Sequence, residues 1–216
     1  MAIDPTLRDA LSAVTPASLA RALTRAGVKA FSPRGLSPGT SGSAIGIAYT
    51  LRMIPARDDA AGDLAAAIDA VPEDSLVVID AAATGLVLPF GAILAARLDQ
   101  RGAAGLITDA ALPEAIGLPS WSAPQGAGGA LALVGTQQPV TCGGAAIHPG
   151  DIVVCAGDGI VALPAGIAER IALEAVEQQR LDLWIQREVE RGESLARLLP
   201  PDAAALARFQ AETKPA

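Results

Sequence analysis

Apolar positions recur along this chain in two rhythms, one helical and one of strands. Over 4–27 they return at helical spacing, with Leu19, Leu23 and Ala26 on one stripe, which predicts two short helices. Thr15 followed by Pro16 has the form of an N-cap with proline at the first helical position, and Gly27 is a stop signal. Residues 30–42 are rich in Ser, Pro and Gly and read as a loop. SAIGIAYTLRMI (43–54) alternates and is β-rich, so it predicts a strand. DLAAAIDAV (63–71) predicts a helix that Pro72 ends.

A strand–helix–strand rhythm follows. SLVVID (75–80) is a continuous apolar run, as expected of a strand buried on both faces. PFGAILAARLDQRG (89–102) predicts an amphipathic helix with Ile93, Leu94 and Leu98 turned inward. AAGLITD (103–109) is the next buried strand, PEAIG (113–117) a short helical turn and LPSWSA (118–123) an extended segment. The strand pattern then dominates. PVTCGGAAI (139–147) predicts one strand whose central Gly pair suggests a bulge. HPGD (148–151) matches a type II turn, with Pro at i+1 and Gly at i+2. DIVVCAGDGIVALP (151–164) predicts a hairpin around Gly-Asp-Gly. A long helix over 165–190 breaks near Arg191-Gly192, and a last helix covers about 202–212. The expected organisation is one α/β domain over 1–216, with N-terminal helices (1–27) and a C-terminal helical arm (165–216).

Composition narrows the function. Half of the 216 residues are apolar (51%) and only 18% are charged, which excludes a disordered chain. A net charge of −7, one His and 3% aromatics leave neither a basic stripe nor stacking rings, so no nucleic-acid partner is expected. Apolar runs are interrupted before the ~18 residues a membrane span needs, so no membrane helix is expected. Residues 1–10 have neither a basic nor an apolar leader segment, so no signal peptide is visible. Cys142 and Cys155 read as inert buried thiols of a cytoplasmic protein.

Candidate chemistry sits at two places. The loop after 75–80 leads through Gly91 into a helix, whose first N–H groups at Gly91, Ala92, Ile93 and Leu94 could hold a carboxylate or phosphate. The next strand ends at Asp109. Strand ends of parallel sheets line ligand crevices, so Asp109 and Glu114 fall where a hard cation could be held by oxygen ligands. Pro113 and Glu114 equally suit the first turn of a helix, where proline is tolerated and an acid meets the positive dipole end. His148 and Asp158 read as turn residues.

The ordered segments LVVIDA (76–81), FGAILAARLDQRGAAGLITDA (90–110), CGGAAIHPGDIVVCAGDGIVALP (142–164) and EAVEQQRLDLWIQREVERGESLARLLPPDA (174–203) resemble the regulator-of-ribonuclease-activity-A (RraA) family. That family also contains 4-hydroxy-4-methyl-2-oxoglutarate aldolases. The similarity runs from VTPASLARAL (14–23) onward, and the Leu-Pro-Pro-Asp tail resembles the longer-tailed branch. The resemblance implies an αββα sandwich of the swivelling phosphohistidine-domain type, assembled as a homotrimer or dimer of trimers with sites between subunits. In the aldolases a divalent metal, Mg²⁺ or Mn²⁺, binds pyruvate and stabilises its enolate. Substrate-binding amides of the family map onto Gly91, Ala92, Ile93 and Leu94, and the metal-anchoring acid onto Glu114.

The sequence departs from the family at the acid and at its neighbour. The family has an Arg-Asp pair where this chain has Pro113-Glu114. The acidic run before the Gly-Asp-Gly turn is reduced to Ala156-Gly157, leaving Asp158. Residues 103–169 contain no Lys or Arg, so a substitute cation must come from elsewhere, for example Arg21, Arg34 or Arg52, or from another subunit. Two functions stay open. One is a metal-dependent carbon–carbon lyase of small 2-oxo acids, an aldolase or decarboxylase, with an altered site. The other is a non-catalytic regulator that binds a protein partner.

Overall fold

Thr15 caps the second helix as its sequence suggests, its side chain accepting from the Ser18 amide at 3.2 Å. This computed structural model describes residues 2–29, 31–39, 42–56, 63–112 and 116–213. Its helices are α1 (Pro5–Ser12), α2 (Pro16–Arg25), α3 (Leu64–Asp69), α4 (Gly91–Gln100), α5 (Ala168–Glu190), α6 (Leu195–Leu198) and α7 (Ala203–Thr213). The strands are β1 (Ser37–Pro38), β2 (Ala44–Pro55), β3 (Ser75–Asp80), β4 (Gly105–Ala111), β5 (Ser120–Ala123), β6 (Leu131–Thr136), β7 (Val140–Cys142), β8 (Ala145–Ile147), β9 (Ile152–Ala156) and β10 (Gly159–Leu163). The short turn expected over 113–117 lies mostly outside the described residues.

The fold is mixed α/β. The main sheet runs β1-β5-β4-β3-β2-β9-β10. Strands β2 to β5 are mutually parallel along that order, and β9 and β10 pair antiparallel at the other end. On the edge opposite β3, the long β2 pairs with β9 through Ala44–Ile47 and with β6 through Leu51–Pro55. Every residue of β3 and β4 is buried, which accounts for their unbroken apolar runs. At Gly46 a Cβ would lie 2.7 Å from the Leu76 amide nitrogen, so only glycine allows β2 and β3 to approach here.

Three apolar layers cover the sheet. Ala67 and Ile68 of α3 and Leu94, Ala95 and Leu98 of α4 pack with Leu51, Val77, Ile79 and Leu106 on one face. The β7–β8 hairpin puts Val140, Cys142, Ala145 and Ile147 against Leu76, Val78 and Ile107 on the other. Helices α1, α2 and α5 cover β9 and β10. No helix among the described residues is long and apolar enough to cross a membrane.

Three local expectations change. The Gly143-Gly144 pair does not bulge a single strand. It is the two-residue turn of the β7–β8 hairpin, since Cys142 registers with Ala145 and both glycines have positive φ (54° and 75°), as a type I′ turn requires. Ile93 is 69% exposed, not inward, because α4 begins at Gly91 and its buried stripe is Leu94, Ala95 and Leu98. The strand β6 had no sequence counterpart, and it forms by long-range pairing with β2. The HPGD turn is as read: Gly150 has φ 88° and the Asp151 amide donates to the His148 carbonyl at 3.1 Å.

Candidate active site

Where the pairing of β2 with β3 ends, three parallel strands place polar side chains in a row. Arg52 on β2 registers with Asp80 on β3. Ile79 registers with Thr108, so one residue further Asp80 neighbours Asp109 on β4. By alternation all three lie on the face covered by the β7–β8 hairpin, because Leu76, Val78 and Ile107 pack there. Asp80 and Asp109 are 6% and 7% exposed, while Arg52 is exposed.

Both carboxylates are committed to backbone. Asp109 accepts from the Ala81 amide through Oδ1 at 2.6 Å and from the Ala83 amide through Oδ2 at 2.9 Å. Asp80 accepts from the Ala82 amide through Oδ1 at 2.7 Å and from the Thr141 amide through Oδ2 at 3.3 Å. Burial raises the Asp109 carboxyl above its ordinary range; the amides of Ala81 and Ala83 oppose this and the Asp80 charge adds to it. Burial first, and then the charges of Asp109 and Asp80, push the Cys142 thiol well up; burial does the same for Cys155. Both thiols are therefore inert, as expected.

The loop held by these carboxylates runs to α4. Ala82 and Ala83 have φ of 55° and 48°, unusual for alanine, and Phe90 at the helix entrance has φ 56°. Beyond the clamp the loop is tied by backbone to β4: Ala111 donates to Leu86 and Leu88 donates to Ala111. At the start of α4, the Ile93 and Leu94 amides both donate to the Phe90 carbonyl at 2.9 Å. The four-amide site expected from sequence thus reduces to Gly91 and Ala92, whose N–H groups have no acceptor among the described residues. Gly91 is buried, and a Cβ there would meet Leu112 Cδ2 at 3.0 Å. The first turn therefore packs against the end of β4.

Pro113 and Glu114 lie outside the described residues. Of the three candidate cations, Arg21 is engaged by Asp182 at 2.5 Å. Arg34 is exposed beside the hairpin turn, where its amide donates to the Gly143 carbonyl at 2.8 Å. Arg52 stands where the pairing of β2 with β3 ends and where the β2–β6 register shifts between Arg52 and Met53. His148 and Asp158 are exposed turn residues, and Asp158 accepts from the Ala17 amide at 3.4 Å.

The match to known proteins decides the family. A family model described as RraA-like (Aldolase/RraA) matches residues 6–162. The chain belongs to the RraA-like family. Among RraA-like and other solved structures it is similar to an uncharacterized protein from Pseudomonas syringae pv. tomato, with 25% identity and a TM-score of 0.81 over 91% of this chain and 94% of that one. It is also similar to Streptomyces coelicolor RraAS2, described as an unusual member of the RNase ES inhibitor RraA protein family. That similarity has 26% identity and a TM-score of 0.76 over 89% of this chain and 99% of that one. The RraA-like family spans aldolases and regulators alike, so the choice between them rests on the site.

A metal at this RraA-like site has few protein donors. No group of three or more His, Cys, Asp or Glu residues converges among the described residues. The oxygens of Asp80 and Asp109 accept from backbone amides, so Asp109 is a loop anchor here and not a free cation ligand. Asp80 was missed by the sequence reading, although an acid closing an otherwise apolar strand is a detectable signal.

Proposed function

We propose that this protein is a slow, divergent carbon–carbon lyase acting on pyruvate-type 2-oxo acids. The observation that carries this reading is the pair of amides at Gly91 and Ala92 that find no acceptor among the described residues, backed by a close-packed glycine at the helix start. Two N–H groups at the positive end of α4 suit a carboxylate. They would orient the substrate so that the bond beyond its C3 carbon can break, its electron pair passing to the 2-oxo oxygen. Glu114 would hold the divalent metal, Mg²⁺ or Mn²⁺, which supplies Lewis-acid stabilisation of that oxygen when bound. With Pro113 in place of an arginine, the charge-assisted contact to the developing enolate is lost, and turnover is slow.

With this reading come the finer αββα sandwich of the swivelling phosphohistidine-domain type, a cytoplasmic location and a homotrimer or dimer of trimers. Phe90 and Ile93, 72% and 69% exposed beside the amides, favour coverage by another chain. Light scattering at micromolar concentration should give an oligomer; a stable monomer would remove the idea of sites between subunits. The same exposed residues, together with Pro113, favour the second reading, a non-catalytic protein-binding regulator.

Calorimetry separates the two. Pyruvate should bind in the presence of Mg²⁺, the metal alone should bind weakly, and Glu114→Ala should abolish metal binding. Oxaloacetate decarboxylation should be slow but measurable. Absence of pyruvate binding would favour the regulator, and metal binding unchanged in Glu114→Ala would end the anchoring role of that residue.

A further inference from the structure

We infer that Asp109, assisted by Asp80, is a positioning residue that clamps the β3–α4 loop in a conformation its own sequence does not favour and thereby aims the Gly91 and Ala92 amides. The inference rests on the proposed 2-oxo acid site. Three consecutive amides, Ala81, Ala82 and Ala83, are held by two carboxylates from adjacent strands. Two of those residues adopt left-handed backbone, which alanine enters only at a cost in energy. Nothing in the type of these residues explains that geometry, whereas glycine would adopt it freely. The clamp explains it, because three of the four carboxylate oxygens each take one amide of the turn, while Asp80 Oδ2 takes the Thr141 amide of β7. Two residues further along β4, Ala111 binds the same loop through its backbone at Leu86 and Leu88. The short segment 109–111 thus grips the loop by side chain at its start and by backbone at its middle, just before Phe90 and Gly91.

This arrangement is costly where it sits. Burial and the facing Asp80 raise the Asp109 carboxyl, and among the described residues the other titratable or charged groups placed beside the two acids are the Cys142 thiol and Arg52, in register with Asp80. A raised folded-state value means that the contribution of Asp109 to stability is full below the ordinary carboxylate range and is lost as pH rises through the raised value. At neutral pH the charged form is therefore held in the fold at a cost relative to the protonated form. What the buried acid does there is hold the loop amides.

The test is Asp109→Asn at neutral pH. The amide keeps the shape but offers one acceptor in place of two, so either Ala81 or Ala83 loses its partner. Relief of the buried charge offsets that loss, and the melting temperature should stay close to the parent's. Pyruvate affinity with Mg²⁺ should nevertheless fall by about 10–100-fold, the range for residues that orient binding groups. Hydrogen exchange should quicken over 81–88 and also at the Ile93 and Leu94 amides, which report on the start of α4. A residue with a merely structural role would change melting and leave affinity and the α4 amides alone, and that result would overturn the inference. Adding Ala82→Gly and Ala83→Gly to the variant should recover part of the affinity, since glycine needs no clamp; the same triple variant serves if the single one does not fold, and no recovery there would count against the clamp. Failure of the parent to bind pyruvate would remove the proposed activity alone. The exchange at Ile93 and Leu94 would still decide the clamp, unchanged rates overturning it.

Discussion

The double variant Pro113→Arg with Glu114→Asp should gain about 10²–10³-fold in oxaloacetate decarboxylation and pyruvate aldol cleavage over the parent, the range for one donor aimed at developing negative charge. As the carbon–carbon bond breaks, charge accumulates on the 2-oxo oxygen. A guanidinium beside it makes bidentate contacts that strengthen toward the transition state, so the gain belongs in kcat as well as in kcat/KM. Proline offers neither charge nor donor, and it also fixes φ and lacks an N–H, constraints that the arginine removes. Aspartate at 114 shortens the acid by one methylene and restores the family's reach. Steady-state assays with Mg²⁺ check this directly. Efficient turnover by the unmodified protein would mean that another cation already serves, and Arg52, on β2 in register with Asp80, is then the first residue to replace. A folded double variant with no gain would mean that the crevice has diverged beyond these two positions.

What the sequence makes legible is what short-range chemistry decides. Thr15-Pro16, His148-Pro149-Gly150-Asp151 and Gly157-Asp158-Gly159 each carry their turn or cap in the residues themselves, and each is found as read. The apolar run Leu76–Ile79 of β3 announces burial on both faces without knowledge of its neighbours. Features that depend on partners distant in sequence are not readable in this way. The strand β6 exists because the second half of β2 offers it an edge. The Gly143-Gly144 pair is equally compatible with a bulge or a turn until its two flanks pair with each other. The candidate site lies between these cases: Gly91 and the helix start were visible, but the reduction to two amides depends on how Phe90 enters the helix. The roles of Asp80 and Asp109 depend on strand register, which brings two acids 29 positions apart to one loop.

Trp184→Ala should detach the C-terminal arm from a body that otherwise stays folded. The first half of α5 packs Ala168, Ile171, Ala172 and Ala175 into the layer over β9 and β10. The second half belongs to a separate cluster, Trp184 and Ile185 with Leu198, Ala205 and Phe209, which shares no residue with the other three. Trp184 is its centre. Its ring meets Phe209 edge-on at 5.9 Å, lies 5.3 Å from the Arg208 guanidinium and donates through Nε1 to Glu212 at 2.8 Å. Arg208 in turn pairs with Glu193 at 3.0 Å and with the buried Glu188, which Arg191 also reaches at 2.6 Å. Truncating a buried tryptophan costs about 3–5 kcal/mol, and a cluster of five buried side chains has little else with which to offset it. The loss should therefore appear as local unfolding of α6 and α7, not as a lower stability shared by the whole chain. Limited trypsin digestion should cut the variant near Arg191 and Arg197 while residues up to about the middle of α5 stay protected, and a thermal melt should resolve a separate low-temperature step. A variant that keeps one transition and resists cleavage at those arginines would show that the arm draws its support from outside this cluster, as it would if another copy of the chain packed against its exposed Leu183, Leu195 and Leu199.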